Sequence, residues 1–276
     1  MTPASAPPPS ARARRVWSGG HYDRIAAGFR HEARAFVERC ALRPGQQVLD
    51  AACGSGNLTV PAARTGAAVT GVDLVASHLA AAAAWAAHEG LAPALDQGSV
   101  EALPYADGRF DVVLSMFGVM FAARPARAVA ELARVTRPGG RVVLATWTRG
   151  GFFGRMFALH AAALPLPPAV PSPLLWGDED VLRAWFDARA WRLTTTPRAF
   201  TLRYPHTPAG TAELFRAAFG PTARALAALD EDRRAELAAD LAVHWAWHAR
   251  AAAAGAATEV AAEYLEVTAV RRGGEG

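Results

Sequence analysis

Residues 48–57 read Val48-Leu49-Asp50-Ala51-Ala52-Cys53-Gly54-Ser55-Gly56-Asn57. An apolar run ends on an acid, turns through two glycines and enters a stretch that predicts a helix. Gly54 and Gly56 carry no Cβ, so a ligand can press against the backbone there. The free amides at the start of the following helix favour a negative or polar group. Asp73, nineteen residues after Gly54, closes the next apolar run. A carboxylate in that position can accept both hydrogen bonds from a ribose diol. The pattern fits a dinucleotide, an adenosyl cofactor, or a tight turn that holds nothing. The dinucleotide fingerprint asks for Gly or Ala three residues after the second glycine. That residue is Thr59 here, and no arginine is placed for a pyrophosphate.

The flanking sequence repeats the same rhythm. Upstream, Ile25, Phe29, Phe36, Val37 and Cys40 recur at near-helical spacing until Pro44-Gly45 ends them. Strands are predicted over 47–51, 68–72, 94–97, 110–116 and 141–147. Between them lie a helix to about Thr65, an alanine-rich helix with Ser77 as its N-cap, and a helix opened by Pro125. Pro138-Gly139-Gly140 reads as the turn before the fifth strand. Alternating strands and helices imply a parallel sheet covered on both faces, with right-handed crossovers. Beyond Trp147 the rhythm breaks. Helices are predicted over 150–164, 178–190, 211–219 and 232–253, with strands over 191–204 and about 263–271. The expected organisation is a disordered tail over 1–15 and one domain over 16–276. Its ligand-binding core spans about 40–150 and its cap about 150–256.

Composition narrows the function classes. The 276 residues are 52% hydrophobic and 20% charged, with a mean hydropathy of +0.09. That is the profile of an ordinary globular chain. No apolar run reaches the roughly 18 residues a spanning helix needs. No apolar stretch follows Arg12, Arg14 and Arg15, so no secretory signal or membrane partner is expected. Cys40 and Cys53 alone make no disulfide framework and no zinc cluster, which suits a cytoplasmic protein. The net charge is +4 and every basic side chain counted in it is arginine. Lysine is missing and isoleucine occurs once, at Ile25, which looks like codon bias. The arginines are scattered, with no basic stripe, so nucleic acid is not an expected partner.

Five stretches in order resemble the class I S-adenosylmethionine-dependent methyltransferases over roughly residues 16–150. They are residues 48–57, Val69-Thr70-Gly71-Val72-Asp73-Leu74, residues 97–105, residues 110–118 and Arg137-Pro138-Gly139-Gly140-Arg141. The opening 17–23 is similar to a bacterial branch that closes a helix over the cofactor. Residues 263–271 look like that branch's antiparallel last strand. The resemblance implies a Rossmann-like, mostly parallel seven-stranded sheet with helices on both faces, an antiparallel last strand and helical cap insertions. It implies S-adenosyl-L-methionine as cofactor. Tyr22, Asp50, Ala52, Cys53, Gly54 and Gly56 would then border the cofactor. Asp73 would hold the ribose, Leu74, Ser99 and Val100 the adenine, and Ser115 and Met116 would sit beside the sulfonium. Two positions depart from the family pattern. Ala52 replaces a glycine, and Ser99 replaces the usual adenine-binding Asp.

Methyl transfer is an in-line displacement in which the protein supplies position and dryness. Ser115-Met116-Phe117-Gly118 stands where enzymes that methylate amino groups on bases or glutamine carry Asn/Asp-Pro-Pro-Tyr/Phe. A small, apolar or aromatic organic acceptor in secondary metabolism is therefore expected, with O-methylation favoured and N- or C-methylation open. Phe117, Met120 and Phe121 read equally as acceptor lining and as core. If the acceptor must lose a proton, His160, His244 and His248 are the candidate bases, because they fall on segments expected above the strand ends. His244 and His248 share a helix face with Leu237 and Leu241 and read as packing, a substrate contact or a metal pair; no metal is expected. His31, His78 and His88 read as solvated. A cyclase or isomerase on the same scaffold, and a non-catalytic cofactor-binding protein, are the alternatives. Oligomeric state, monomer or homodimer, stays open.

Overall fold

The computed structural model describes residues 9–18, 21–167, 170–249 and 257–273. Seven strands form one sheet. They are β1 (Gln47–Ala51), β2 (Ala68–Asp73), β3 (Ala94–Gln97), β4 (Phe110–Met116), β5 (Thr136–Trp147), β6 (Trp191–Tyr204) and β7 (Thr258–Arg271). Their order is β3-β2-β1-β4-β5-β7-β6. β1 to β5 pair in parallel, and β7 runs antiparallel to both β5 and β6. β1 and β4 are buried at nearly every position, as strands covered on both faces must be. From β1 the chain winds outward through β2 and β3, then returns to β4 on the other side. The crevice at the carboxyl ends of β1 and β4 is therefore the topological switch point, where open α/β sheets bind ligands.

Helices α1 (Pro9–Trp17), α2 (Tyr22–Ala26) and α3 (Arg30–Arg39) precede the sheet. Helices α4 (Thr59–Ala63), α5 (Ala76–His88) and α6 (Pro125–Val135) connect its parallel strands. Between β5 and β6 lie α7 (Phe152–Ala163), a 3-10 turn over Pro173–Gly177 and α8 (Glu179–Trp185). Between β6 and β7 lie α9 (Pro208–Ala218), α10 (Gly220–Ala228) and α11 (Glu231–His248). Phe117 stacks on Trp147 with centroids 3.5 Å apart, and Trp147 stacks on Phe153 at 4.0 Å, so an aromatic column joins the end of β4 to the start of the cap. Gly28, in the 3-10 turn between α2 and α3, lies under Tyr204. A Cβ there would come within 2.2 Å of that ring. The Tyr204 hydroxyl donates to the carbonyl of Ile25 at 2.8 Å, which fixes α2 against β6.

Several sequence-based expectations need correction. The tail expected to be disordered through residue 15 is helical from Pro9; residues 1–8 of that expectation lie outside the described residues. Ser77 does not cap α5. The helix begins at Ala76 after an extended Val75, and the Asp73 carboxylate accepts from the Val75 amide at 2.9 Å instead. α8 stops at Trp185, five residues before the expected end, after an Asp178 cap on the amides of Asp180 and Val181. The apolar alternation of the last strand starts earlier, at Thr258. β5 already includes the Pro138-Gly139-Gly140 turn as an irregular start. α10 is a third helix in the β6–β7 connection, where two are expected. α11 ends at His248, and residues 250–253 of its expected span lie outside the described residues. No helix among the described residues is long and apolar enough to cross a membrane.

Candidate functional site

The turn after β1 crosses the switch point and builds one wall of a cleft. Three consecutive features bend it. Ala52 has φ +58°, Gly54 +53° and Gly56 +91°, all in the left-handed region that favours glycine. Across the cleft, Phe117 at the end of β4 has φ +57°. The next residue, Gly118, approaches so closely that a Cβ would lie 2.6 Å from the carbonyl oxygen of Ala52. The Ala52 backbone thus takes up a conformation costly for a residue with a Cβ, at the position where the family pattern has glycine. The amide of Gly54 donates to Oδ2 of Asp73 at 3.0 Å, and Nδ1 of His78 lies 3.3 Å from Oδ1. Tyr22, on α2, lies over this group, with its ring edge against Gly54.

The cleft is strongly desolvated. Asp50 is fully enclosed, and burial pushes its carboxyl up to about 7, opposed by the Thr59 hydroxyl that donates to it at 2.6 Å. The Cys53 thiol is held well above its ordinary value by burial and by Asp50 and Asp73. Burial, with the nearby Asp73 charge, also raises the Tyr22 phenol. Among the described residues, three polar atoms around the cleft are buried without a hydrogen-bond partner: Ser55 Oγ, Asn57 Oδ1 and His78 Nε2. Each such atom costs stability unless something pairs with it. Their convergence in one cleft marks it as the place for a polar ligand.

Tyr22, Asp50, Ala52, Cys53, Gly54, Asp73, Leu74, Ser99, Val100 and Met116 all line this cleft. Two expected contacts do not. Gly56 lies behind the turn, where a Cβ would meet that of Ala82 at 3.1 Å, so its missing side chain serves helix packing. Ser115 is fully buried; its hydroxyl donates to the carbonyl of Ala51 at 2.7 Å and accepts from the amide of Val119 at 3.1 Å. It joins the ends of β1 and β4 and does not face the cleft. Ser99 accepts from the Glu101 amide at 3.2 Å. Trp17, Ser55, Asn57, His78, Glu101 and Phe117 line the cleft without having been singled out as cofactor contacts. His78 is 7% exposed rather than solvated, because the first turn of α5 directs it back onto Asp73. Its position five residues after Asp73, at the start of a helix, was the available signal.

A second, larger cavity of about 990 Å³ adjoins the cleft beneath the cap. Ala13, Trp17, Phe121 and Ala122 line both. Trp17 and Phe121 pack edge to face with centroids 4.8 Å apart. Met120, Phe157, Leu164 and Leu174 add apolar wall. Met120 and Phe121 therefore line the chamber, whereas Phe117 belongs to the cleft. His160 also lines it. Its Nε2 is 3.0 Å from the Thr222 hydroxyl, its Nδ1 is buried without a partner among the described residues, and burial holds it neutral down to about 4. His244 and His248 line neither cavity. His244 stacks on Phe152, its Nε2 is 3.2 Å from the Phe152 carbonyl, and burial together with His248 lowers it to about 4. His248 places Nδ1 2.9 Å from the carbonyl of His244. The pair packs α11 against α7, away from both the cleft and the chamber.

A mostly parallel sheet of this order, with a glycine turn and a strand-end acid at its switch point, defines a Rossmann-like nucleoside-cofactor protein. The family profile described as a methyltransferase domain matches residues 49–144. An uncharacterized protein of Mycobacterium tuberculosis is 37% identical over 238 residues, 84% of this chain and 85% of that one. The demethylmenaquinone methyltransferase of Renibacterium salmoninarum is 32% identical over 175 residues, 57% of this chain and 71% of that one. Among solved structures, the YcgJ protein of Bacillus subtilis has the same fold, with a TM-score of 0.59 at 17% identity over 88% of this chain and 100% of that one. The [4+2]-cyclase SpnF shares it at 0.51 and 22% identity, over 89% and 82%. The chain belongs to the class I S-adenosylmethionine-dependent methyltransferase family.

Proposed function

We propose that this protein binds S-adenosyl-L-methionine in the cleft and transfers its methyl group to a small apolar or aromatic acceptor in the chamber, on oxygen. The observation that carries the reading is the shared wall of Ala13, Trp17, Phe121 and Ala122, which brings the two cavities together. The cleft residues fit the cofactor. Asp73 offers a carboxylate to a diol, Leu74 and Val100 an apolar surface to a base, and Ser55, Asn57 and His78 carry polar atoms that lack a partner. When bound, the cofactor supplies an electrophilic methyl group. With Tyr22 against Gly54 the cleft holds about 90 Å³, below the roughly 300–1,000 Å³ of ordinary small-molecule sites. Entry therefore requires Tyr22 to swing off Gly54, and its return covers the ligand.

The apolar chamber walls orient the acceptor by contact with its body. Of the three candidate bases, His160 is the one the proposal retains. It is neutral at physiological pH, and its Nε2 can take an acceptor proton once the Thr222 hydroxyl turns away. The similar proteins with a named activity include a ubiquinone/menaquinone biosynthesis C-methyltransferase of Bdellovibrio bacteriovorus, so transfer to carbon is the nearest variant of the reading. The test is a thermal shift followed by turnover. S-Adenosylmethionine and S-adenosylhomocysteine should raise the melting temperature, because each would bind only the folded state, and NAD should not. An acceptor library should then yield S-adenosylhomocysteine and a product heavier by one methyl. A shift with NAD alone would overturn the reading. Product without S-adenosylhomocysteine would place the protein with the rearranging enzymes on this scaffold.

A further inference from the structure

The chamber lining has a charge pattern the proposed reaction does not require: it holds arginines and no Asp or Glu, and the stretches of sequence it is drawn from share that bias. Residues 1–22, 112–130, 149–177 and 214–229 contain no Asp or Glu, although the chain has 25. The same segments carry arginines throughout, and three of them, Arg124, Arg149 and Arg224, line the chamber beside His160. Arg124 is engaged by Glu101, which accepts from its Nε at 2.7 Å and its amide at 3.0 Å. Arg149, in the connection from β5 to α7, pairs with no acidic side chain among the described residues. Some arginines elsewhere are engaged by acids: Arg39 meets Glu32 and Glu266, Arg134 meets Asp107 and Glu131, and Arg183 meets Glu179 and Asp180. A greasy cavity of about 990 Å³ whose ionisable lining is basic focuses a positive potential inward. Apolar walls alone would serve a neutral acceptor, whereas Arg149 adds an exposed guanidinium to the chamber lining.

We infer that the acceptor is an amphipathic organic acid, an apolar or aromatic body carrying a carboxylate that Arg149 receives. This rests on the proposal that the chamber is the acceptor site. A guanidinium presents a planar pair of donors that matches a carboxylate, so it orients the acceptor as well as attracting it. With the acid end held at Arg149, the body of the molecule extends along Phe157 and Met120 toward the Trp17–Phe121 wall that the chamber shares with the cleft.

The test uses the full chain saturated with S-adenosylhomocysteine and two probes of one shape, 2-naphthoate and 2-naphthamide, titrated by calorimetry. The naphthoate should bind at least tenfold more tightly than the amide. That advantage should shrink as salt rises from 50 to 500 mM, which shortens the Debye length to a few ångströms. Arg149→Gln should remove most of the preference for the anion, and Arg149→Lys should keep part of it. The affinity for S-adenosylhomocysteine reports folding in each variant and should not move. Equal binding of the two probes would overturn the inference while leaving an apolar acceptor chamber intact. A preference that survives Arg149→Gln would overturn the assignment to Arg149. Failure of both probes would overturn the chamber itself, and failure of S-adenosylhomocysteine to bind would instead overturn the proposed function.

Discussion

The backbone amide of Gly54 donates to Oδ2 of Asp73 at 3.0 Å, so the turn after β1 is tied directly to the acid that ends β2. The Val75 amide occupies Oδ1 at 2.9 Å. Asp73 is thus a structural fastener before any ligand arrives. Asp73→Ala should weaken S-adenosylhomocysteine at least about tenfold, and should also lower stability by roughly 1–3 kcal/mol for the amides left unpaired. Asp73→Asn keeps an acceptor for one amide, so calorimetry on that variant should show the affinity loss with a smaller change in melting temperature.

Ser99 stands where the family carries an adenine-binding Asp, and its hydroxyl accepts from the Glu101 amide. An aspartate can accept from the same amide and retain a second oxygen for the ligand. Ser99→Asp should tighten S-adenosylhomocysteine by about 1 kcal/mol, the scale of one net hydrogen bond. A weaker Kd in the variant would mean that the base edge is read by other groups.

Ala52 holds φ +58°. For an L-residue the left-handed region costs roughly 1–2 kcal/mol. Ala52→Gly should therefore raise the urea midpoint by about 1 kcal/mol of stability at unchanged m-value, less the entropy glycine adds to the unfolded chain. No gain would mean that the surrounding turn relaxes the strain.

Ser115 distinguishes a strut from a ligand contact. Its buried hydroxyl makes two hydrogen bonds that join β1 to the turn after β4. Ser115→Ala should cost about 1–3 kcal/mol in chemical denaturation and leave S-adenosylhomocysteine affinity near that of the original chain. A selective loss of affinity with stability kept would return Ser115 to the cleft.

His160 and His244 are neutral in the fold down to about 4, against about 6.5 when unfolded. Between those values the unfolded chain binds more protons, so folding stability falls as pH falls. The stability from keeping the rings neutral is complete above pH 6.5 and is lost as pH drops through about 4. For His160 alone the loss is of order 3 kcal/mol. The melting temperature should decline steeply over that interval, and His160→Gln should flatten the decline while lowering stability at pH 7.

Much of the fold was legible because its signals are local. Alternating apolar runs, the β1 glycine turn and Pro125 set the strand–helix rhythm within windows of a few residues. The antiparallel end of the sheet was visible through resemblance. The last strand starts at Thr258 because β6, distant in sequence, pairs with it along its whole length. At the start of α5, by contrast, a local bond from the Val75 amide to the Asp73 carboxylate stands where a Ser77 cap is expected. Most cleft residues were readable because one turn and two strand ends carry them. The roles of Ser115, Gly56 and His78 were not. Whether a serine hydroxyl bonds a neighbouring strand, a glycine faces a helix, or a histidine folds back onto an acid depends on the packing of strands and helices brought together by the chain's winding. The chamber was less visible still, because α1, α7 and α10 contribute walls from residues far apart in the chain. The sequence determined the strand–helix rhythm of the sheet and the glycine turn, which are matters of residue type and spacing. Only the tertiary structure decided which histidine lines a cavity and that the cleft and the chamber meet at Trp17 and Phe121, because burial and contact belong to the assembled surfaces.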